Sequence, residues 1–218
     1  MPHGRPRPLC HSEGVPKRVD HEVRRRQIAE AVWRIAATRG LQAATLREVA
    51  TEAGVSVRLV QYYFATKDRL LADALHYLTR AMADRMRTRL RELGRPPGPR
   101  DIMRICLIEA LPTDDESLMM ARVHGAYYSA ALADPSLASA AAAGPDPLPQ
   151  DSMEKVLTTQ IRSAQQTGHI PPTADPTQEA RTLGALAAGL SSMVLVGART
   201  PEEAVDVITY RLNALFTP

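Results

Sequence analysis

The 218-residue sequence has two cysteines, Cys10 and Cys106, and only 4% aromatic residues. Neither cysteine sits in a CxxC or another metal-ligand spacing, and Cys10-His11 stands alone in a proline-rich tail, so no metal site is expected. No apolar run reaches the roughly 18 residues needed to span a bilayer. The opening residues lack the apolar core of a secretory signal. A cytoplasmic protein without membrane contact is therefore expected. There is no GxSxG, P-loop, dinucleotide fingerprint or HExxH. The histidines (His3, His11, His21, His76, His124 and His169) are scattered along the chain. No catalytic constellation can be assembled from them, so neither an enzyme nor a bound cofactor is expected. Strand-like alternation is missing too, which leaves an all-α fold.

Present instead is a globular composition, 44% hydrophobic and 23% charged. The formal net charge is only +3, but it is unevenly spread. Residues 1–69 hold 13 Lys/Arg against 7 Asp/Glu, and residues 70–218 hold 14 against 17. A basic first third on an acidic remainder suits a duplex-binding head on a non-binding body. A protein that coats nucleic acid would need a continuous basic surface, whereas this excess is confined to one end.

Residues 1–20, with four prolines and scattered charge, read as a flexible basic arm. From Glu22 the pattern turns helical, with Ile28, Ala31, Val32 and Ile35 on one face and Gly40 as the stop. Thr45 opens a second helix, and Glu48 three residues on predicts a capping box. Leu46, Val49, Ala50 and Ala53 form its inward stripe. Gly54-Val55-Ser56 breaks it, and Ser56 caps a third helix, Val57 to Phe64, anchored by Val60 and Phe64. Thr66 caps a long fourth helix to about Leu93, with Leu71, Leu75, Leu78, Met82 and Met86 at helical spacing. Further helices are expected over Arg100 to Leu111, Asp115 to Asp134 and, capped by Asp151, to Gly168. A short alanine-rich piece follows Pro135, and Gly144 to Pro149 reads as a loop. Asp175-Pro176 opens a helix to Arg199, and Thr200-Pro201-Glu202-Glu203 opens the last one.

Two short helices across a glycine-containing turn form a helix-turn-helix. Its second helix enters the major groove while the first crosses the phosphate backbone. The outward face of Val57–Phe64 offers Arg58, Gln61, Tyr62 and Tyr63. Arginine reads guanine through O6 and N7, and glutamine reads adenine through N6 and N7. Tyrosine hydroxyls donate to phosphates. Lys67 stands at a helix N-terminus, where backbone N–H groups and an ammonium can share one phosphate.

The stretch Ile28-Ala29-Glu30-Ala31, Gly40, Ala43-Ala44-Thr45-Leu46-Arg47-Glu48-Val49-Ala50, Ala53-Gly54-Val55-Ser56, Tyr62-Tyr63-Phe64, Thr66-Lys67-Asp68 and Leu70-Leu71 resembles the tetracycline-repressor (TetR) family. The resemblance covers about residues 22–72. It implies an all-α homodimer with a three-helix DNA head, residues 21–66, and a helical effector-binding and dimerisation body, residues 67–218. It also implies phosphate contacts from Thr45, Tyr63 and Lys67. Arg47, Val57, Arg58, Leu59, Gln61 and Tyr62 match positions that face bases or nearby backbone. Where family members often carry Gly, Tyr and Phe, this chain has Arg58, Gln61 and Ala36. The first two imply an operator preference of its own. Ala36 implies a smaller head core, filled by Trp33. The function implied is a ligand-responsive repressor on a palindromic operator; the alternative is a ligand-independent regulator or activator of the same fold.

In the body, the resemblance implies a small-molecule pocket among the middle helices and a dimer through the last two. Met119, Met120, His124, Tyr127 and Tyr128 crowd one helix, with Cys106 and Glu109 on the preceding one and Met86 on the long fourth helix. Methionine suits an adaptable apolar cavity, and no dense acidic cluster points to a strongly cationic effector. These residues are the candidate ligand contacts, the competing reading being plain core. Leu183, Leu186, Leu190 and Val194, interleaved with Gly184, Ala187, Ala188, Gly189 and Ser191, are the candidate dimer contacts. Val205, Ile208 and Leu212 join them from the last helix, again against a reading as monomer core.

Overall fold

The structure, a computed structural model, describes residues 17–134 and 149–216. Most of the expected basic arm, the alanine-rich piece after Pro135 and all but the last residue of the Gly144–Pro149 loop lie outside the described residues. Within them the chain is all helical. In order it forms α1 (Lys17–Arg39), a 3-10 turn (Leu41–Ala43), α2 (Leu46–Glu52), α3 (Val57–Phe64), α4 (Lys67–Glu92) and α5 (Pro99–Ile108). Then come α6 (Asp115–Ala133), α7 (Pro149–Gln166), α8 (Pro176–Leu195) and α9 (Pro201–Leu215).

The helix starts follow local chemistry. The hydroxyls of Thr45, Ser56 and Thr66 accept the backbone N–H of Glu48, Leu59 and Arg69, each at 3.2 Å. Asp175 takes the N–H groups of Thr177 and Gln178. Thr200 and Glu203 bond reciprocally at α9. Each cap satisfies donors that the first helical turn leaves open. At α2 only half of the expected capping box forms, because the Glu48 carboxylate turns instead to Arg39, 2.9 Å away.

Four boundaries differ from the sequence reading. α1 starts at Lys17, inside the expected arm and five residues before Glu22. α7 starts at Pro149, whose missing N–H costs nothing at the first helical position, rather than after Asp151. α5 stops at Ile108, and Leu111 closes a tighter turn by donating to the Ile108 carbonyl. α8 stops at Leu195, where Gly197 at φ 72° turns the chain well before Arg199.

Two hydrophobic clusters hold these helices. The first joins α1, the 3-10 turn, α2, α3, the N-terminal part of α4 and α6; Ile28, Val32, Ile35, Val49, Val60, Phe64, Leu70 and Leu78 are at most 1% exposed in it. Trp33 and Ala36 both lie in this cluster, and the Trp33 indole N–H donates to the Ala74 carbonyl at 2.9 Å. The second cluster joins α5, α7, α8 and α9 through Met103, Leu107, Leu157, Ile161, Leu183, Ile208 and Leu212. The helix α6 thus belongs to the same core as the helix-turn-helix.

The joint between α3 and α4 is two residues, Ala65 and Thr66. Ala65 has φ 58° and ψ −55°, and among the described residues it is the one non-glycine with positive φ. The Thr66 N–H reaches back to the Phe64 carbonyl at 2.6 Å. This closes a γ-turn, a strained geometry for a residue with a Cβ.

Candidate nucleic-acid interface and effector region

Val60 and Phe64 are buried, and they anchor α3 against the first cluster. The opposite face is therefore free. Val57, Arg58 and Gln61 are exposed, Tyr62 is 71% exposed and Leu59 is half-buried. Gly54, at φ 66°, makes the tight turn from α2 that sets this orientation. Arg47 projects from α2 into solvent, and Thr45 is exposed although its hydroxyl already caps α2. Arg47, Arg58 and Gln61 make no side-chain hydrogen bond or ion pair among the described residues. Lys67 is half-buried, and its ammonium donates to the Gln42 carbonyl at 3.3 Å.

Tyr63 is the most constrained of the expected contacts. Its hydroxyl lies 2.9 Å from Nδ1 of His21 on α1, and the two rings meet edge to face. Its backbone carbonyl accepts from Arg25 at 2.8 Å. The Arg25 guanidinium sits over the Phe64 ring, 5.4 Å from its centre, and 3.9 Å from Asp73 on α4. Sequence reasoning missed His21 and Arg25. Their spacing of four puts both on one face of α1, the signal that could have marked them.

The seven candidate ligand residues differ in burial and in what they touch. Met120 and Tyr127 face inward into the first cluster, and the Tyr127 hydroxyl donates to the Leu71 carbonyl at 2.6 Å. Burial pushes that phenol well above the ordinary tyrosine range. Tyr128 is 60% exposed, on another side of the same helix. His124 is half-buried, and burial holds its imidazole below the ordinary value. Cys106 is buried, which pushes its thiol up to about 12 and leaves it a poor nucleophile at neutral pH. Met86 is half-buried on α4.

Glu109 is not open to a ligand. It pairs with Arg85 at 2.8 Å and with Arg89 at 3.1 Å. Arg85 also holds Asp114 at 2.7 Å and pairs with Glu116. Burial pushes the Asp114 carboxyl up, but the Ser117 N–H, the Arg85 guanidinium and the Ser117 hydroxyl outweigh it and hold the group at about 2. This network ties the C-terminal half of α4 to the end of α5 and the start of α6. An acidic cluster is thus present here, already neutralised by arginine. Two cavities lie elsewhere, of about 150 Å³ between α1 and α4 and about 400 Å³ between α7 and α8, and none of the seven residues lines either. Among the described residues no group of three His, Cys, Asp or Glu is placed to hold a metal ion. No helix there is long and apolar enough to cross a membrane.

These features match known proteins along most of the chain. Residues 28–74 match the family described as bacterial regulatory proteins, tetR family. Residues 99–217, more than half of the sequence, match the C-terminal region of BetI-type transcriptional repressors. The chain belongs to the TetR family. HTH-type transcriptional regulator PksA of Bacillus subtilis strain 168 is 38% identical over 114 residues, 52% of this chain and 54% of PksA. HTH-type transcriptional regulator BetI of Burkholderia cenocepacia strain HI2424 is 28% identical over 123 residues, 56% of this chain and 62% of BetI. The alignments therefore span little more than half the length of these relatives. A crystal structure from Rhodococcus sp., described as a TetR-family transcriptional regulator, is 26% identical and superposes with a TM-score of 0.78 over 90% of this chain and all of that one.

Against the TetR expectation of a dimer through the last two helices, four candidate residues need correction. Leu183, Leu190, Ile208 and Leu212 are at most 5% exposed in the single chain. They are core of the second cluster, because α7 and α5 already cover that side of α8 and α9. Leu186, Val194 and Val205 are half-buried beside them. The exposed apolar and small residues include Ala185, Ala188, Gly189, Ser192 and Met193 on α8, Val196 just beyond its end, and Tyr210 on α9, among charged neighbours such as Arg181, Glu202 and Asp206. Of these, Met193, Val196 and Tyr210 are 46%, 78% and 76% exposed.

Proposed function

We propose that this TetR-family chain is a ligand-responsive transcriptional repressor, acting in the cytoplasm as a homodimer on a near-palindromic DNA operator. The observation that carries the reading is the outward face of α3. Two groups able to read base edges, Arg58 and Gln61, stand exposed and without partners beside exposed Tyr62, on a helix fixed from behind by buried Val60 and Phe64. Arg47, Thr45, Tyr63 and Lys67 flank that face, placed for backbone contacts that position the helix. Lys67 must leave the Gln42 carbonyl to do so. The head boundary near Thr66 follows the same logic, although α6 shares the head's core.

One recognition helix per chain reads one half-site, so a palindrome needs two chains. Met193, exposed among small residues of α8, with exposed Val196 at its end and Tyr210 on α9, supplies apolar surface for that pairing. Release by a small, mainly apolar effector rests on half-buried Met86 in the C-terminal third of α4 and half-buried His124 at the middle of α6. Such a ligand must bind the released state more tightly, since only differential affinity moves the equilibrium. The test is a selection from randomised duplexes combined with sedimentation. A near-palindrome with half-sites about 34 Å apart and two chains per duplex is the expected result. A monomer at micromolar concentration, both alone and on the selected duplex, overturns the reading.

A further inference from the structure

Tyr63 and His21 share one hydrogen bond, and its direction has a consequence for DNA. A phenol carries a single hydrogen. If that hydrogen points at His21 Nδ1, the hydroxyl has none left for a phosphate oxygen. If Nδ1 carries the hydrogen and donates to the phenol oxygen, the Tyr63 hydrogen is free to point outward. The rest of the surroundings fix the tyrosine and leave this choice open. Arg25 holds the Tyr63 carbonyl at 2.8 Å, Asp73 lies 3.9 Å from that guanidinium, and Arg69 holds the other Asp73 oxygen at 3.0 Å. Tyr62 packs edge to face on Tyr63 at 5.2 Å between ring centres. The hydroxyl therefore has a fixed location, and His21 is the side chain bonded to it.

We infer that His21 is a positioning residue for DNA binding: by donating from Nδ1 to the Tyr63 hydroxyl, it aims the phenol hydrogen at a backbone phosphate. The inference rests on the reading of Tyr63 as a phosphate contact. It adds a residue from α1, outside the helix-turn-helix, and assigns the imidazole tautomer that the bound state requires. The resulting chain runs from His21 N–H to Tyr63 O–H to phosphate oxygen. Each donor in it polarises the next, so the outer bond is strengthened.

The test uses the full-length chain and the duplex that the wild type selects from a library with a randomised centre. Affinity for that duplex is measured for His21→Ala, His21→Asn, Tyr63→Phe and the double variant His21→Ala with Tyr63→Phe. The amide nitrogen of asparagine overlies Nδ1 and can donate in its place. His21→Ala and Tyr63→Phe each lower affinity about three- to tenfold, the loss of one hydrogen bond. His21→Asn restores most of it. In the Tyr63→Phe background, His21→Ala has no further effect. Thermal unfolding is unchanged throughout, because His21 is exposed. If Tyr63→Phe binds like wild type, the phosphate reading falls and the positioning role falls with it. If Tyr63→Phe weakens binding but His21→Ala is silent, additive with it or unrescued by asparagine, the positioning role alone is wrong. Loss of affinity in step with loss of thermal stability overturns it as well, since His21 would then be structural.

Discussion

The two halves of α4 are held by different forces. From Leu70 to Leu78 nearly every residue is buried, packed on α1 and α6 in the same core as the recognition helix. Beyond Thr79 no residue of the helix is fully buried, and Met82, Met86 and Leu90 are half-covered. There Arg85 and Arg89 tie the helix to Glu109, Asp114 and Glu116. Apolar burial is non-directional and is not screened by ionic strength, and close packing resists small displacements. Ion pairs respond to pH and ionic strength, and they can exchange partners. A helix of 26 residues, about 39 Å long, thus has a fixed end beside the DNA head and an adjustable end in the body.

The largest effects are expected at the fixed end. Tyr127→Ala empties a buried ring site between α6 and α4 and should cost about 3–5 kcal/mol in urea unfolding. Tyr127→Phe loses only the bond to the Leu71 carbonyl, about 1 kcal/mol. Should Tyr127→Ala leave stability intact, the view of α6 as part of the head's core is wrong. At the adjustable end, Arg85→Ala leaves Glu109, whose side chain is only 8% exposed, with Arg89 alone. A loss of about 2–4 kcal/mol is expected, with a shallower salt dependence of what remains.

Acid provides a smaller and sharper discriminator. Asp114 is held at about 2, below its ordinary 3.8, so its contribution is fully present above about pH 4. It is lost as pH falls from about 4 through 2, and this part of the acid response should shift upward in Arg85→Ala. Unfolding midpoints recorded across that range check the sign; a midpoint that rises on acidification would contradict it. Smallest of all is Glu116→Ala. Its side chain is 59% exposed, so a change of less than about 1 kcal/mol is expected despite its place in the same network.

The sequence was most readable where structure is local. Thr45, Ser56, Thr66, Asp175 and Thr200 announce helix starts because each cap acts within three residues. The inward Val60 and Phe64 follow from helical period alone. What period cannot give is the identity of the covering surface. Tyr127 and Leu183 lie on apolar faces as expected, but nothing in their spacing says that α4 covers one and that α5 and α7 cover the other. Glu109 looked like a free polar anchor because its partners Arg85 and Arg89 lie 24 and 20 residues away. His21 escaped notice because its partner is 42 residues distant and its segment looked like the edge of a flexible arm.

The two-residue joint of Ala65 and Thr66 leaves the recognition helix little slack. A flexible linker would absorb part of any rotation of α4, and the half-site would see a blurred, reduced version of it. A γ-turn closed by a 2.6 Å hydrogen bond, with Arg25 gripping the preceding carbonyl, behaves as a welded elbow instead. Such a joint favours α3 following the start of α4 as one unit. For the proposed repressor, the quantity passed to the DNA is then an angle, and the tolerance of the major groove to tilt sets how small a movement would release it.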